Sequence, residues 1–275
     1  MIRLLQIEFQ KLWSSRFSKV LILVSLILPF SVLILSSIKI DFFGFFTLDL
    51  VKTGIFNFPL IWHIITFFAG YFKFFFAFVV VSMVANEYSN RTLKQNLIDG
   101  LSKKEFILSK FFFILSYTLL STVLIGVSIL IIGLIHSSHT DISVVFINSE
   151  FLFAYFIKLL GFFSLCFFMA VLIKRSAFAF GGILMLFIAE LIFYGLLKWK
   201  WASETTADAI MAYAPFVSLY KLIDQPIQRI IMITQPNKVD LAYDYAVHPK
   251  ELIIVLIWVG IFIGASYLLL KRRDL

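Results

Sequence analysis

Cysteine is almost absent from this sequence, in which Cys166 stands alone among 275 residues. A single cysteine excludes a disulfide within the chain and any metal site built on several cysteines. The motifs GxxxxGK[ST], HExxH and GxSxG are missing as well. We therefore expect no catalytic residue, no metal site and no cofactor in this chain, and no nucleotide hydrolysis by the chain alone.

Charge is also scarce, because Lys, Arg, Asp and Glu together make up only 15% of the residues. Hydrophobic residues make up 61%, and the mean hydropathy is +0.98. No soluble domain stays in solution with this composition, so the predicted class is an all-α polytopic membrane protein that forms a single transmembrane domain. Crossing about 30 Å of hydrocarbon takes roughly 17 residues or more in a helix. Six stretches reach that length: residues 20–38, 62–85, 111–135, 151–173, 177–197 and 252–270.

The positive charges predict the orientation of these spans. With a cytoplasmic N-terminus, 14 Lys and Arg residues fall on the inner side and 8 on the outer side. An excess of Lys and Arg marks the cytoplasmic side, so both termini are predicted to lie inside a cytoplasmic (inner) membrane. The net charge of +8 is thus explained by orientation, and no nucleic-acid partner is expected.

The stretch 198–250 is predicted to be extracytoplasmic. Its apolar part, residues 207–223, is too short to cross and is interrupted by Pro215. We expect a pair of short helices there that re-enter the outer leaflet before the last span, followed by an exposed polar loop.

Residues 1–19 have the pattern of an amphipathic helix. Apolar side chains, Trp13 among them, lie on one side and basic side chains such as Lys11 on the other. This pattern is typical of a helix in the membrane interface. The alternative is a simple cytoplasmic leader.

The longest polar passage in the first half of the chain, residues 86–110, lies between two predicted spans. Leucine recurs every fourth residue, at Leu93, Leu97 and Leu101, which predicts a short helix with a narrow apolar stripe. Gly100 is expected to end it, because glycine adopts the left-handed conformation without steric cost. The alternative is a solvated loop that merely joins two spans.

A second helix is predicted to begin directly after this corner. Ser102 and Glu105 have the spacing of a capping box, and Leu101 and Phe106 that of a hydrophobic staple. This helix should continue into the third span, so that a displacement of the corner is carried into the membrane.

Three charged residues fall inside predicted spans, where ionised groups are costly. Lys158 and Glu190 lie at similar depth in neighbouring spans and could form an ion pair, either as a structural element or in a substrate path or dimer interface. Lys158 could instead extend outward along the span. Lys73 has no obvious partner, so a cavity, a subunit interface and a lipid phosphate remain open for it.

The passage also has the form E-x4-T-x7-G-x-S-[KR]-x6-K, in which the fixed positions are Glu87, Thr92, Gly100, Ser102, Lys103 and Lys110. Together with the N-terminal amphipathic helix and the six spans, this passage resembles the type-2 ABC transporter permeases. Where many members have a proline before the serine, this chain has Leu101.

The resemblance implies the transmembrane subunit of an ATP-driven exporter that moves a lipid, a peptide antibiotic or a drug-like compound. Such a permease pairs with a second, identical or homologous permease among membrane lipids and docks on a dimer of cytoplasmic ABC ATPase subunits, which bind ATP and Mg. Residues 86–101 would be the coupling helix and residues 1–19 an elbow helix. The residues assigned to ATPase coupling are Glu87, Tyr88, Arg91, Thr92, Leu93, Leu97, Gly100, Leu101, Ser102 and Lys103.

Two other functions remain possible on the residues alone. One is a stand-alone immunity or assembly factor that acts by binding, without ATP. The other is an ion-coupled carrier that uses Lys73, Lys158 and Glu190, although the inverted repeats that would favour a carrier are not evident. Binding of an ATPase to the central passage distinguishes the permease from the stand-alone factor.

Overall fold

Long helices dominate the chain. The computed structural model describes residues 2–14, 16–36, 40–42, 46–48, 50–201, 203–234 and 244–273. The elements before the predicted corner are α1 (Ile2–Ser14), α2 (Arg16–Ser36), β1 (Ile40–Phe42), β2 (Phe46–Leu48), α3 (Leu60–Ala69) and α4 (Lys73–Ser89). Those after it are α5 (Thr92–Ile98), α6 (Lys103–His136), α7 (Ile142–Val145), α8 (Glu150–Ile173), α9 (Ser176–Leu196), α10 (Glu204–Met211), α11 (Pro215–Lys221), α12 (Ile227–Thr234) and α13 (Pro249–Arg272).

Five segments in the described part of the chain are long and apolar enough to span a membrane. They are Leu60–Ser89, Lys103–His136, Ile142–Ile173, Ser176–Lys200 and Pro249–Arg272, and each contains one of the predicted spans. The remaining predicted span, residues 20–38, overlaps α2. The part of α2 that is apolar enough to count as a candidate is Ser18–Ser31, which is shorter than the other five segments. Residues 37 and 38 of that prediction lie outside the described residues.

Helix α8 forms the centre of the bundle. It packs against α13, α4, α9 and α6, and most of its side chains are buried. Phe162, Phe163 and Phe167 are among the largest completely buried side chains in the described part of the molecule. In contrast, α9 packs on α8 with one side and exposes most of its apolar side chains. The bundle is therefore ordered around the fourth predicted span.

The second predicted span is not one continuous α-helix. A 3₁₀ turn, Gly70–Phe72, separates α3 from α4, so that Lys73 is the first residue of α4. A short stretch of 3₁₀ geometry inside a helix often marks a hinge or a functional position. Here it brings the backbone of Gly70 beside the buried side chain of Lys158 on α8.

The predicted corner between the second and third spans is confirmed in its local details. Gly100 has φ of +99°, in the left-handed region. The Ser102 hydroxyl accepts from the Glu105 N–H at 3.1 Å, and the Glu105 carboxylate accepts from the Ser102 N–H at 2.9 Å. Helix α6 then continues for 34 residues, or about 51 Å at 1.5 Å per residue. Residues 86–101 are not a single helix, because 86–89 complete α4 and only Thr92–Ile98 form a separate one.

Short strands and short helices lie between the long helices. The strands β1 and β2 pair as a short antiparallel ribbon, and the fold is otherwise helical, in agreement with the all-α prediction. Predicted stretch 198–250 contains α10, α11 and α12, and Pro215 occupies the first turn of α11, a position where its missing N–H costs nothing. The two short helices expected in residues 207–223 are thus present as helices, whereas residues 235–243 of the predicted loop lie outside the described residues.

Candidate functional site

A network of polar side chains is buried at the end of the bundle where α4 ends and α6 begins, which we call the motif end. Its centre is the Glu87 carboxylate, on the last turn of α4. One oxygen, Oε1, accepts from Lys110 Nζ at 2.9 Å and from Lys11 Nζ at 3.1 Å. The other, Oε2, accepts from Thr92 Oγ1 at 2.9 Å and from Asn96 Nδ2 at 3.3 Å. A single carboxylate thus joins α1, α4, α5 and α6.

A second carboxylate completes this network, which we call the Glu87 node. Lys110, whose side chain is almost completely buried, also donates to Glu8 Oε2 on α1. Ser109 Oγ donates to the other Glu8 oxygen at 3.4 Å. Two carboxylates and two ammonium groups therefore balance, which matters because a buried charge is tolerated only when it is paired and hydrogen-bonded.

The sequence motif located part of this node. Glu87, Thr92 and Lys110 occupy three of the six fixed positions of the motif, and the side chains of Thr92 and Lys110 both donate hydrogen bonds to the Glu87 carboxylate. Glu8 and Asn96 were missed, although Glu8 is the one acidic residue in positions 1–19, and a lone acid in a basic amphipathic helix is a signal for a specific partner.

The leucine stripe of α5 faces the bundle. Leu93 is 1% exposed and belongs to the hydrophobic core, while Leu97 and Leu101 are partly buried and pack against that core. The opposite side presents Ile98, which is 75% exposed, beside exposed polar residues such as Lys94. The predicted coupling leucines therefore hold α5 to its own bundle, and the outward apolar residue is Ile98, which sequence reasoning did not select.

A basic clamp joins three helix ends beside the corner. Lys103 Nζ donates to the backbone carbonyls of Arg273 at 2.8 Å and Lys271 at 3.3 Å. The Arg273 guanidinium in turn donates to the carbonyls of Val171 at 2.6 Å and Leu172 at 3.0 Å. Cationic donors at helix C-termini satisfy carbonyls that lack a partner within the helix. The start of α6 is thereby fixed to the ends of α8 and α13.

The remaining predicted coupling residues border these two features. Tyr88 is partly buried on α4, and its ring faces the Lys174 ammonium at 5.8 Å. Arg91 is exposed and has φ of +57°, so its left-handed backbone forms the turn between α4 and α5.

The predicted ion pair between Lys158 and Glu190 is wrong. The Glu190 carboxylate instead accepts from the backbone N–H groups of Phe216 at 3.1 Å and Val217 at 2.7 Å. These are the second and third residues of α11, whose amides have no acceptor within the helix, and the first residue, Pro215, has no N–H. A carboxylate at this helix N-terminus also interacts favourably with the helix dipole. The presence of Glu190 inside a predicted span is therefore explained by its capping of α11 and not by an ion pair with Lys158.

Both lysines of the predicted set line a cavity of about 260 Å³. Lys158 Nζ lies 5.9 Å from the ring centroid of Phe67, and Lys73 Nζ lies 4.9 Å from that of Phe162. A neighbouring cavity of about 480 Å³ includes Glu190 in its lining. The two cavities share the lining residues Phe187, Phe216 and Tyr220.

Replacing Glu190 with Ala is expected to accelerate amide hydrogen exchange at Phe216 and Val217 by about fivefold, as the loss of about 1 kcal/mol of capping implies. Exchange measured by mass spectrometry on the 215–221 segment tests this. Glu204→Ala removes an acid from the first turn of α10 and is the matched control, which should leave that segment unchanged. Equal exchange in Glu190→Ala and the unaltered chain would show that the cap is not formed.

No group of three or more His, Cys, Asp and Glu side chains within the described ranges could hold a metal ion. Two features of this geometry suit a mechanical role. The short helix α5 has an exposed apolar residue and is tied through the Glu87 carboxylate to three other helices, and a cavity with two lysines lies further along the same bundle.

In a comparison with protein families, residues 4–275 match the model described as ABC-2 family transporter protein. Comparison with curated proteins gives no match. The family match agrees with the five apolar helices and the motif at the corner. The chain therefore belongs to the ABC-2 family, the type-2 ABC transporter permeases, as a multi-pass membrane component that is not itself the ATPase and that associates with an ABC ATPase partner.

Proposed function

We propose that this chain is the permease subunit of an ATP-driven exporter in the cytoplasmic membrane, with both termini and the motif end in the cytoplasm. It pairs with a second permease and docks on two ATPase subunits, and it moves an amphipathic substrate such as a lipid, a peptide antibiotic or a drug-like compound. The observation that carries this proposal is the Glu87 node, which ties the short helix α5, with Ile98 exposed on its outer side, to the helices around it.

The ATPase partner would supply nucleotide hydrolysis with bound ATP and Mg. The role of this chain is then to receive a displacement at α5, acting as the coupling helix, and to pass it on. Glu87 connects α5 to α4, and Lys110 connects the same carboxylate to α6 and α1. An amphipathic α1 tied to the node in this way fits the role of an elbow helix at the membrane interface.

A second path leaves the corner through the basic clamp. Because Lys103 and Arg273 link the start of α6 to the ends of α13 and α8, a shift of the corner also acts on the central helix. Along α4 the displacement leads to the 3₁₀ turn and to the cavity beside Lys73. These links support a rigid-body tilt of several helices rather than a local loop movement.

The proposal is tested by gentle affinity purification of the chain from its native membrane, with mass measurement of the intact complex. We expect two permeases with two copies of a P-loop ATPase. Recovery of the chain alone, or with a protein that lacks nucleotide-binding motifs, would contradict the proposal and favour a stand-alone immunity or assembly factor.

A further inference from the structure

The cavity of about 260 Å³ lies inside the helix bundle but is lined by charged as well as apolar side chains. Two ammonium groups line it, Lys73 from the start of α4 and Lys158 from α8. Among the described residues, no carboxylate oxygen lies within 4.0 Å of either ammonium. Aromatic rings lie close to both ammonium groups, those of Phe162 and Phe74 for Lys73 and that of Phe67 for Lys158.

Such an arrangement is costly unless something compensates it. A buried ammonium loses its hydration, and two of like sign also repel each other. Of the carboxylates nearby, Glu190 caps α11, and Asp224, after α11, lines the larger cavity and acts on Lys158 only from beyond the 4.0 Å of an ion pair. A ring face offers a lysine much less stabilisation than an anion does.

The walls around the two lysines are suited to an apolar group. Phe187, Phe216 and Tyr220 line both cavities, so that only aromatic side chains shared by both stand beside the lysine cavity where it adjoins the larger one between α9 and α11. The larger cavity is bordered by Leu191, which is 52% exposed on the outward side of α9. An apolar chain on a ligand held at the lysines would therefore meet these rings and, beyond them, the exposed apolar side of α9.

We propose that Lys73 and Lys158 bind the anionic headgroup, a phosphate or a carboxylate, of an amphiphile whose apolar tail packs against the aromatic side chains that border both cavities. The anion would supply the direct ionic partner that neither ammonium group has among the described residues. The 3₁₀ turn at Gly70–Phe72 belongs to the same wall, so that a movement of α4 against α3 would change the distance between the two lysines. That this site lies on the transport path rests on the proposed function, whereas binding itself does not.

The test is a calorimetric titration of the purified chain, without ATPase, in the neutral detergent dodecyl maltoside. Because the uncharged amphiphile is already in excess, saturable binding of dodecyl phosphate reports recognition of the charge. We expect one dodecyl phosphate per chain and binding of inorganic phosphate at least about tenfold weaker. Dodecyltrimethylammonium, with the same tail and a positive head, should not bind.

The lysine variants locate the site. Lys73→Met and Lys158→Met should each weaken dodecyl phosphate binding by about tenfold, and the double variant should abolish it. Lys250→Met is the matched control, since Lys250 also lies over an aromatic ring, that of Tyr213 at 5.4 Å, but outside the cavity. Its affinity should be unchanged.

Undiminished binding in the double variant would overturn the proposal, as would equal binding of the cationic probe. Equally tight binding of inorganic phosphate would assign the site to free anions and refute the amphiphile. The comparison of probes on the unaltered chain needs no variant, so it decides even if a variant folds poorly. The titration is done without the ATPase, so a failure to bind dodecyl phosphate would refute the lysine site but not the permease function. Likewise, a purification without an ATPase would refute the permease function but not the lysine site.

Discussion

Replacing Ile98 with Asp is expected to abolish ATPase docking while leaving the permease folded. Ile98 is the exposed apolar residue at the end of α5, with 75% of its surface accessible, and a groove on a partner would bury it. Burying an aspartate there without a counter-charge should cost more than about 2 kcal/mol, as at an interface hot spot, or a loss of affinity of about 30-fold. The measurement is the amount of ATPase that co-purifies and its rate of ATP hydrolysis in the complex.

Two variants separate docking from folding. Ile142→Asp makes the same change at an isoleucine of similar exposure, 79%, on α7 rather than at the motif end, and should leave the complex intact. Leu97→Asp should instead lower the melting temperature of the chain alone, because Leu97 packs against the core. If Ile98→Asp retains a full complement of active ATPase, α5 does not carry the docking contact.

The sequence predicted those features that depend on local chemistry. Gly100 ends a helix because its backbone is free to adopt positive φ, and Ser102 and Glu105 form a capping box because both bonds join residues three apart. Five of six spans follow from length and hydropathy alone. None of these requires knowledge of what the chain packs against.

The features that the sequence did not predict depend on tertiary contacts. Periodicity identified the apolar stripe of α5 but could not say whether the stripe faces a partner or its own bundle, and Leu93 turned out to be core. Equal depth suggested a Lys158–Glu190 pair, but depth says nothing of rotation about the helix axis or of the amides of α11. Glu8 was missed because its partner, Lys110, is 102 residues away.

Removing the buried lysine of the Glu87 node is expected to have a large effect on the stability of the chain. Lys110→Met is expected to lower the free energy of unfolding by about 3–5 kcal/mol, because it leaves Glu8 and Glu87 buried against the single, partly exposed ammonium of Lys11. Thermal melting of the detergent-solubilised chain measures the loss. Lys11→Met is the matched control at the same carboxylate, and as its side chain is 39% exposed it should cost no more than about 1 kcal/mol.

A compensating variant distinguishes a charge effect from simple loss of packing. Glu8→Gln combined with Lys110→Met removes one charge of each sign and leaves Glu87 with Lys11, Thr92 and Asn96. If the cost of Lys110→Met arises from uncompensated carboxylates, the double variant should be more stable than Lys110→Met alone by about 2 kcal/mol or more, a strongly non-additive result. A double variant whose loss equals the sum of the two single losses would instead assign the effect to the space left by the lysine stem, and the node would not act as an electrostatic lock between α1, α4 and α6.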